Sequence, residues 1–233
     1  MKGFLKFLVV VIVIVGAGLG GAYFLISSPA QEIDVTWTED DFSSYLAKLD
    51  KGGVTLDGSQ ASVEDIFANN VAATGKTYVD TTITSAELTA IANKSWNGNS
   101  VFRNVKIKCV GDDELQMSAV IGDISPLIDQ FPVLEKYESI IKLVENKEVY
   151  MNATLFYNEA TGLFDGSTKE IYVGKVKLPL DQARTGLTEG GTAVNNALKN
   201  MSGFSVNHFK VTEAGFDFDG TIPAVMKSAG SFR

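Results

Sequence analysis

The stretch VFRNVKIKCVGDDELQMSAVI, residues 101–121, decides the fold class. Val101, Val105, Ile107 and Cys109 alternate with Phe102, Asn104, Lys106 and Lys108. That period of two puts successive side chains on opposite faces of a strand. Gly111-Asp112-Asp113 is a turn signal, and Leu115, Met117, Ala119 and Ile121 alternate back. Two such runs joined by a tight polar turn predict an antiparallel hairpin with one apolar face.

The same pattern continues downstream. Val149, Met151, Ala153, Leu155 and Tyr157 alternate, a turn follows at Ala160-Thr161-Gly162, and a strand runs from about Lys169 to Leu178. Within it the apolar phase changes, with Ile171 and Val173 odd but Val176 and Leu178 even. Gly174 at the switch predicts a β-bulge. A last hairpin carries Phe204, Val206, Phe209 and Val211, a turn at Gly215, then Phe216, Phe218 and Ile222. Residues 224–233 read as a frayed, flexible tail. Strands with one apolar face each predict an antiparallel sheet covered on one side by helices, an α+β fold.

The helices are marked by their caps and stripes. Thr38 precedes Glu39, Asp40 and Asp41, acids that favour the positive end of a helix dipole. Phe42, Tyr45, Leu46 and Leu49 then form a stripe that Gly52-Gly53 ends. A short helix from Ser62 would bury Ile66 and Phe67. Thr84-Ser85-Ala86-Glu87 is a capping box, predicting a helix over about 85–96 with Leu88, Ile91 and Trp96 inward. Ser125-Pro126 opens a long helix whose apolar face is Leu127, Ile128, Phe131, Leu134, Tyr137, Ile140, Ile141 and Val144, kinked at Pro132. Residues 180–201 read as helical, interrupted at Gly190-Gly191.

Upstream of all this, no charged residue occurs from Phe7 to Ser28. A hydrocarbon core ~30 Å thick needs roughly 20 apolar residues, so the run is long enough to span as a helix. Its glycines, among them Gly16 and Gly20, are common in membrane helices. Lys2 and Lys6 precede it, whereas Glu32, Asp34, Glu39, Asp40 and Asp41 follow it. The positive-inside rule then puts residues 1–6 in the cytoplasm, an anchor at 7–28, a linker at 29–37 and an extracytoplasmic body at 38–223. A cleaved signal peptide ending near Ser28-Pro29-Ala30 is the other reading of this segment.

The formal charge is −8, and residues 1–30 contribute only two lysines to it. The acidic body argues against nucleic acid, whose binding rests on basic charge. Cys109 is the lone cysteine, which excludes an internal disulfide and a multi-cysteine metal cage.

Ile83-Thr84-Ser85-Ala86-Glu87-Leu88-Thr89-Ala90 as a capped helix, followed by Phe102-Arg103-Asn104-Val105-Lys106-Ile107 as a strand, resembles bacterial membrane-anchored proteins of the tubular lipid-binding (TULIP) type. Tyr172-Val173-Gly174-Lys175-Val176-Lys177-Leu178-Pro179 is similar to that family's strand leading into its central helix. Phe204-Ser205-Val206 and the turn into Phe216-Asp217-Phe218-Asp219-Gly220 resemble its closing hairpin. The resemblance covers about residues 80–223. It implies a long curved antiparallel sheet wrapped around a long helix, with an apolar groove for acyl chains between them. Residues 35–75 and the Gly190-Gly191 break depart from the family's pattern.

No catalytic or metal site stands out. His208 is the only histidine, lies at a phase change in a strand, and reads as structural or surface. Cys109 falls on the inward face and reads as a buried thiol. Asp217-Phe218-Asp219-Gly220 lacks the further oxygen ligands of a calcium loop, and Asp112-Asp113-Glu114 reads as a solvated turn. Lys169, Lys175, Lys177 and Arg184 form a small basic island, read as a solvated face with an anionic head-group as the alternative. No phosphate-binding loop, zinc-protease or nucleophile-elbow motif occurs.

The informative residues are therefore apolar. The leading expectation is a non-enzymatic, cofactor-free lipid-binding protein tethered outside a bacterial membrane. Its groove would be lined by Leu127, Phe131, Leu134, Tyr137, Ile141 and Val144 of the long helix. Ile107, Met117, Met151, Leu155, Val173 and Phe218 would line it from the strands. The expected partners are the membrane, through the anchor, and lipid acyl chains; an envelope protein partner is left open. A closed-core interaction module of the cell envelope is the first alternative, and an enzyme acting on envelope polymers the second.

Overall fold

The computed structural model describes residues 30–53, 55–56, 71–95, 102–123 and 144–228. Over these residues the chain is α+β, with three helices, two antiparallel sheets and a small mixed sheet. In chain order the elements begin with α1 (Glu39–Lys51), β1 (Thr55–Leu56), β2 (Val71–Thr74), β3 (Thr77–Ile83) and α2 (Ser85–Ser95). Next come β4 (Phe102–Gly111), β5 (Glu114–Ile121), β6 (Glu148–Asn158), β7 (Leu163–Val173) and β8 (Val176–Lys177). The chain continues through α3 (Leu180–Asn200), β9 (Ser205–Thr212), β10 (Gly215–Ile222) and β11 (Val225–Ser228).

Strands β4 to β8 form a five-stranded sheet in sequence order, and β3, β10 and β9 form a three-stranded one. The hairpin read from residues 101–121 is β4–β5, with Ile107 opposite Met117 and Cys109 opposite Leu115. Asp112 and Asp113 both take positive φ in its turn, matching the right-handed twist of the flanking strands. The closing hairpin is β9–β10, with Phe209 opposite Phe218 and a register shift beside Asp219, the phase change read near His208.

Both predicted caps form. The Thr38 hydroxyl accepts from the Asp41 N–H while the Asp41 carboxylate accepts from the Thr38 N–H. Thr84 and Glu87 make the same reciprocal pair at 3.2 and 2.8 Å. Glu87 is also the joint between the helices. Only 2% exposed, it takes the Lys48 ammonium at 2.6 Å and the Ser44 hydroxyl at 2.7 Å, both from α1.

The free edge of β4 is closed by a helix. Ser85, Thr89 and Asn93 recur every four residues along one line of α2. They hydrogen-bond the backbone of Cys109, Ile107 and Val105, the alternate residues whose edge groups β5 leaves unpaired. A row of polar side chains thus stands where a sixth strand would lie, removing an exposed edge. Leu88 packs from the same helix on Cys109, Leu115 and Val211, with Leu155, Phe209 and Phe216 around them. A second cluster, Leu49 and Val79 with Tyr45, Phe218 and Ile222, seats α1 on the three-stranded sheet.

Five expectations are corrected. Gly174, with φ of +55°, lies in the two-residue turn between Val173 and Val176, so the phase flips because the chain reverses rather than bulges. A register irregularity does occur in that strand, but at Lys169, between the pairs Asn152–Glu170 and Ala153–Thr168. Helix α3 runs unbroken through Gly190-Gly191, where a 21-residue span absorbs the low helix propensity of two glycines. The tail contains β11, paired antiparallel with β2 and parallel with β1. In the described part of the expected linker, residues 30–37, the chain is held against the body, because Ile33 is 1% exposed and the Lys106 ammonium donates to its carbonyl. Finally, the described strands form separate sheets where one long sheet was expected.

The expected anchor at 7–28, the expected helix from Ser62 and the expected long helix as far as residue 143 lie outside the described residues. Among the described residues no helix is long and apolar enough to cross a membrane.

Candidate functional site

Register places the predicted strand residues in rows across the five-stranded sheet. Ile107, Met117, Met151 and Ile171 oppose one another in four neighbouring strands. Cys109, Leu115, Ala153 and Thr168 make the next row, and Val149 opposes Val173 in the row before. Leu155 follows Ala153 on the same face. Because the side-chain period is two, these residues share one face, an apolar strip that runs along β6.

Helix α3 lies beside this strip. It starts just after Leu178, whose N–H donates to the Ile171 carbonyl at 2.8 Å. Fifteen residues later Asn195 clamps the backbone of Phe164, donating to its carbonyl at 2.7 Å and accepting from its N–H at 2.8 Å. Phe164 is near the start of β7 and Ile171 near its end, so α3 runs antiparallel to β7 along its open edge. The Asn195 amide has both a donor and an acceptor, which is what an edge residue with a free C=O and N–H needs.

Between α3 and the sheet is a groove of about 620 Å³. Small-molecule sites span about 300–1,000 Å³, so the volume suits a ligand. Ala153, Leu155, Phe164, Leu180 and Val194 supply its apolar lining. Asp165, Ser167, Thr188 and Thr192 are exposed at its rim. Phe164 is fixed by edge-on contacts with Tyr157 and Phe209 at 5.4 and 5.0 Å, so the floor has a defined shape.

The opposite face of the sheet is polar and partly covered. Tyr150, 1% exposed, sits in the row of Ser118 and Lys106 and meets the Tyr172 ring edge-on at 6.0 Å. The segment from Ala30 to Val35 crosses here. The Ala30 N–H donates to the Glu148 carboxylate at 3.1 Å, and Lys106 holds Ile33.

The structure brings Ile107, Met117, Met151, Leu155 and Val173 onto one strip and separates Phe218 from them. Phe218 is on β10, stacked on Phe204 and packed towards Leu49 and Val79. The separation is physical: β10 pairs with β3 and β9 and belongs to the other sheet. Val144 is buried. Leu127, Phe131, Leu134, Tyr137 and Ile141 lie outside the described residues. Cys109 is buried as expected, and burial pushes its thiol up against the opposing hydrogen bond with Ser85. His208 is exposed on β9. In the basic island, Lys169 pairs with Glu114 and Lys177 with Glu170 at 3.2 Å.

Sequence reasoning missed Phe164, Val194, Asn195 and Gly191 as groove residues. Val194 falls at helical spacing with Ala197, Leu198 and Met201, but nothing in that pattern distinguishes a stripe facing a groove from one facing a core. Asp113 was also missed. Read as solvated, it exchanges backbone hydrogen bonds with both sheets, donating to the Val211 carbonyl and accepting from the Leu155 N–H. No family model, curated protein or solved structure matches this chain.

Proposed function

We propose that this protein is a non-enzymatic, membrane-tethered lipid-binding protein of the bacterial cell envelope, with residues 7–28 as its anchor and the body outside the membrane. In this reading the body is a tubular lipid-binding domain whose groove is flanked by the antiparallel sheet and by α3, the helix that follows the strand the resemblance places before its central helix. An acyl chain lies against the apolar face of β6 and β7. The observation that carries the reading is the groove between that face and α3, apolar at its floor and polar at its rim. Each methylene that the groove shields from water is worth ~0.8 kcal/mol, which offsets part of what an acyl chain loses on leaving a bilayer.

The test is photocrosslinking of the full chain in vesicles that contain a phospholipid with a diazirine in its acyl chain. Adducts on Leu155, Phe164 or Val194 are the expected result. Adducts confined to residues 7–28 would leave the body without a lipid site.

A further inference from the structure

We infer that the body is seated rigidly on the bilayer by one end of its five-stranded sheet, the end where β6 begins, rather than swinging on a flexible tether. The inference rests on the anchor at 7–28 but not on lipid occupying the groove.

Its first support is the length of chain left between anchor and sheet. The expected anchor ends at Ser28, and Ala30 is already bound to Glu148, the first residue of β6. Two residue steps reach about 7 Å at most. Ile33 is buried three residues later and held by Lys106, so the segment cannot slide or peel without losing core. A chain exiting the bilayer at Ser28 therefore meets the sheet at once. The same end carries Asn146, hydrogen-bonded to Arg103, and the Gly174–Lys175 turn.

Charge sets which way the body leans. At the far end, the β4–β5 turn carries Asp112 and Asp113, the β6–β7 turn Glu159, and the β9–β10 turn Glu213. Among the described residues of those three turns there is no lysine or arginine. The near end mixes signs: Arg103, Lys106, Lys147, Lys175 and Lys177 stand among Glu32, Asp34, Asp123, Glu145, Glu148 and Glu170. An anionic bilayer repels the far end and tolerates the near one, which turns the sheet upright on its anchor. Strand β6 covers eleven residues, so its far end then stands about 33 Å above its start at ~3.3 Å per residue. The groove, six rows up at Ala153–Leu155, is held clear of the head-groups.

The experiment uses the full chain in anionic vesicles doped with a phospholipid bearing a nitroxide on its head-group. Lys175→Cys and Glu159→Cys place a fluorophore at exposed positions on the two ends, while native Cys109 is buried. The expected result is quenching several-fold stronger at position 175 than at 159. A ten-residue Gly/Ser insertion after Ser28 replaces the short connection with a flexible tether, so it should lower both signals and shrink the difference between the two positions. Replacing Ile33 with Asp together with the insertion should abolish the difference. Equal quenching at 175 and 159 in the uninserted chain overturns the seat. A chain that fails to float with vesicles overturns the anchor and the seat together, whereas a quenched position 175 without groove adducts upholds the seat and removes only the lipid site.

Discussion

Thr89 and Ile107 exchange two hydrogen bonds, the Ile107 N–H donating to the Thr89 hydroxyl at 3.0 Å and that hydroxyl donating to the Ile107 carbonyl at 3.2 Å. One helical side chain thereby satisfies both edge groups of a strand residue that also sits in the central row of the apolar strip. Thr89 is fully buried, so water cannot take its place. Thr89→Val keeps the shape and removes the hydroxyl, orphaning a donor and an acceptor. The expected cost is about 1–3 kcal/mol, read as a lowered midpoint in urea. Thr89→Ser should recover most of it. Equal stability of the valine and serine variants would mean that β4 is held by packing alone.

Glu87 makes the docking of α1 pH-dependent. Burial alone would raise its carboxyl, but hydrogen bonds from Lys48, the Thr84 N–H and Ser44 outweigh burial and hold it below the ordinary carboxylate range. Its folded pKa is thus depressed relative to the unfolded chain. The stabilisation is complete above the unfolded value, near ~4.3, and is lost as pH falls through the lower folded value. Glu87→Gln should cost about 1.5–3 kcal/mol at pH 7, and the two unfolding midpoints should converge on acidification. A gap that stays constant down to pH 3 would remove the ionised carboxylate from the account. Tyr45, whose hydroxyl burial and then Glu87 push up to about 12, stays neutral throughout.

Gly174 tests the corrected turn. Its φ of +55° places it in the left-handed region, which costs a residue with a Cβ roughly 1–2 kcal/mol. Gly174→Ala should lower the thermal midpoint accordingly, while Gly174→Asn, which tolerates that region, should lower it less. Equal midpoints for the wild type and both variants would mean that position 174 does not need the left-handed region.

What could be read from the sequence was whatever local chemistry enforces. The Thr38 and Thr84 caps formed because the side chains that satisfy the first turn lie within four residues. The β4–β5 hairpin formed because alternation and an Asp-Asp turn agree. Gly174 shows the limit: a phase flip is produced equally by one extra residue or by a reversal, and only the pairing of Val173 with Val176 decides. Strand β3 was invisible for another reason. TYVDTTI carries few apolar residues, and its extended state is fixed by seven pairings with β10, more than a hundred residues away. Ile33 likewise looked like a lone apolar residue in a linker. Its burial follows from contacts with Lys106 and the sheet that no local pattern encodes.

The groove itself is tested best at Gly191. It lies within α3, lines the groove, and a Cβ built on it would meet nothing within 4 Å. Glycine inside a helix costs roughly 0.5–1 kcal/mol relative to alanine, so Gly191→Ala should stabilise the protein by about that amount. A larger side chain at the same position grows into the open volume instead of into packed atoms. Gly191→Trp should therefore keep or raise the thermal midpoint, since the overpacking that penalises large residues in a closed core has no neighbours to act on. If an acyl chain occupies the groove, the indole takes its place, and lipid extracted with the purified full chain should fall for Trp but hold for Ala. Lipid carried by the anchor is common to all three proteins, so the difference between Ala and Trp reports the body alone. Equal lipid in the two variants, with both folded, would show that the space beside α3 is not where lipid binds.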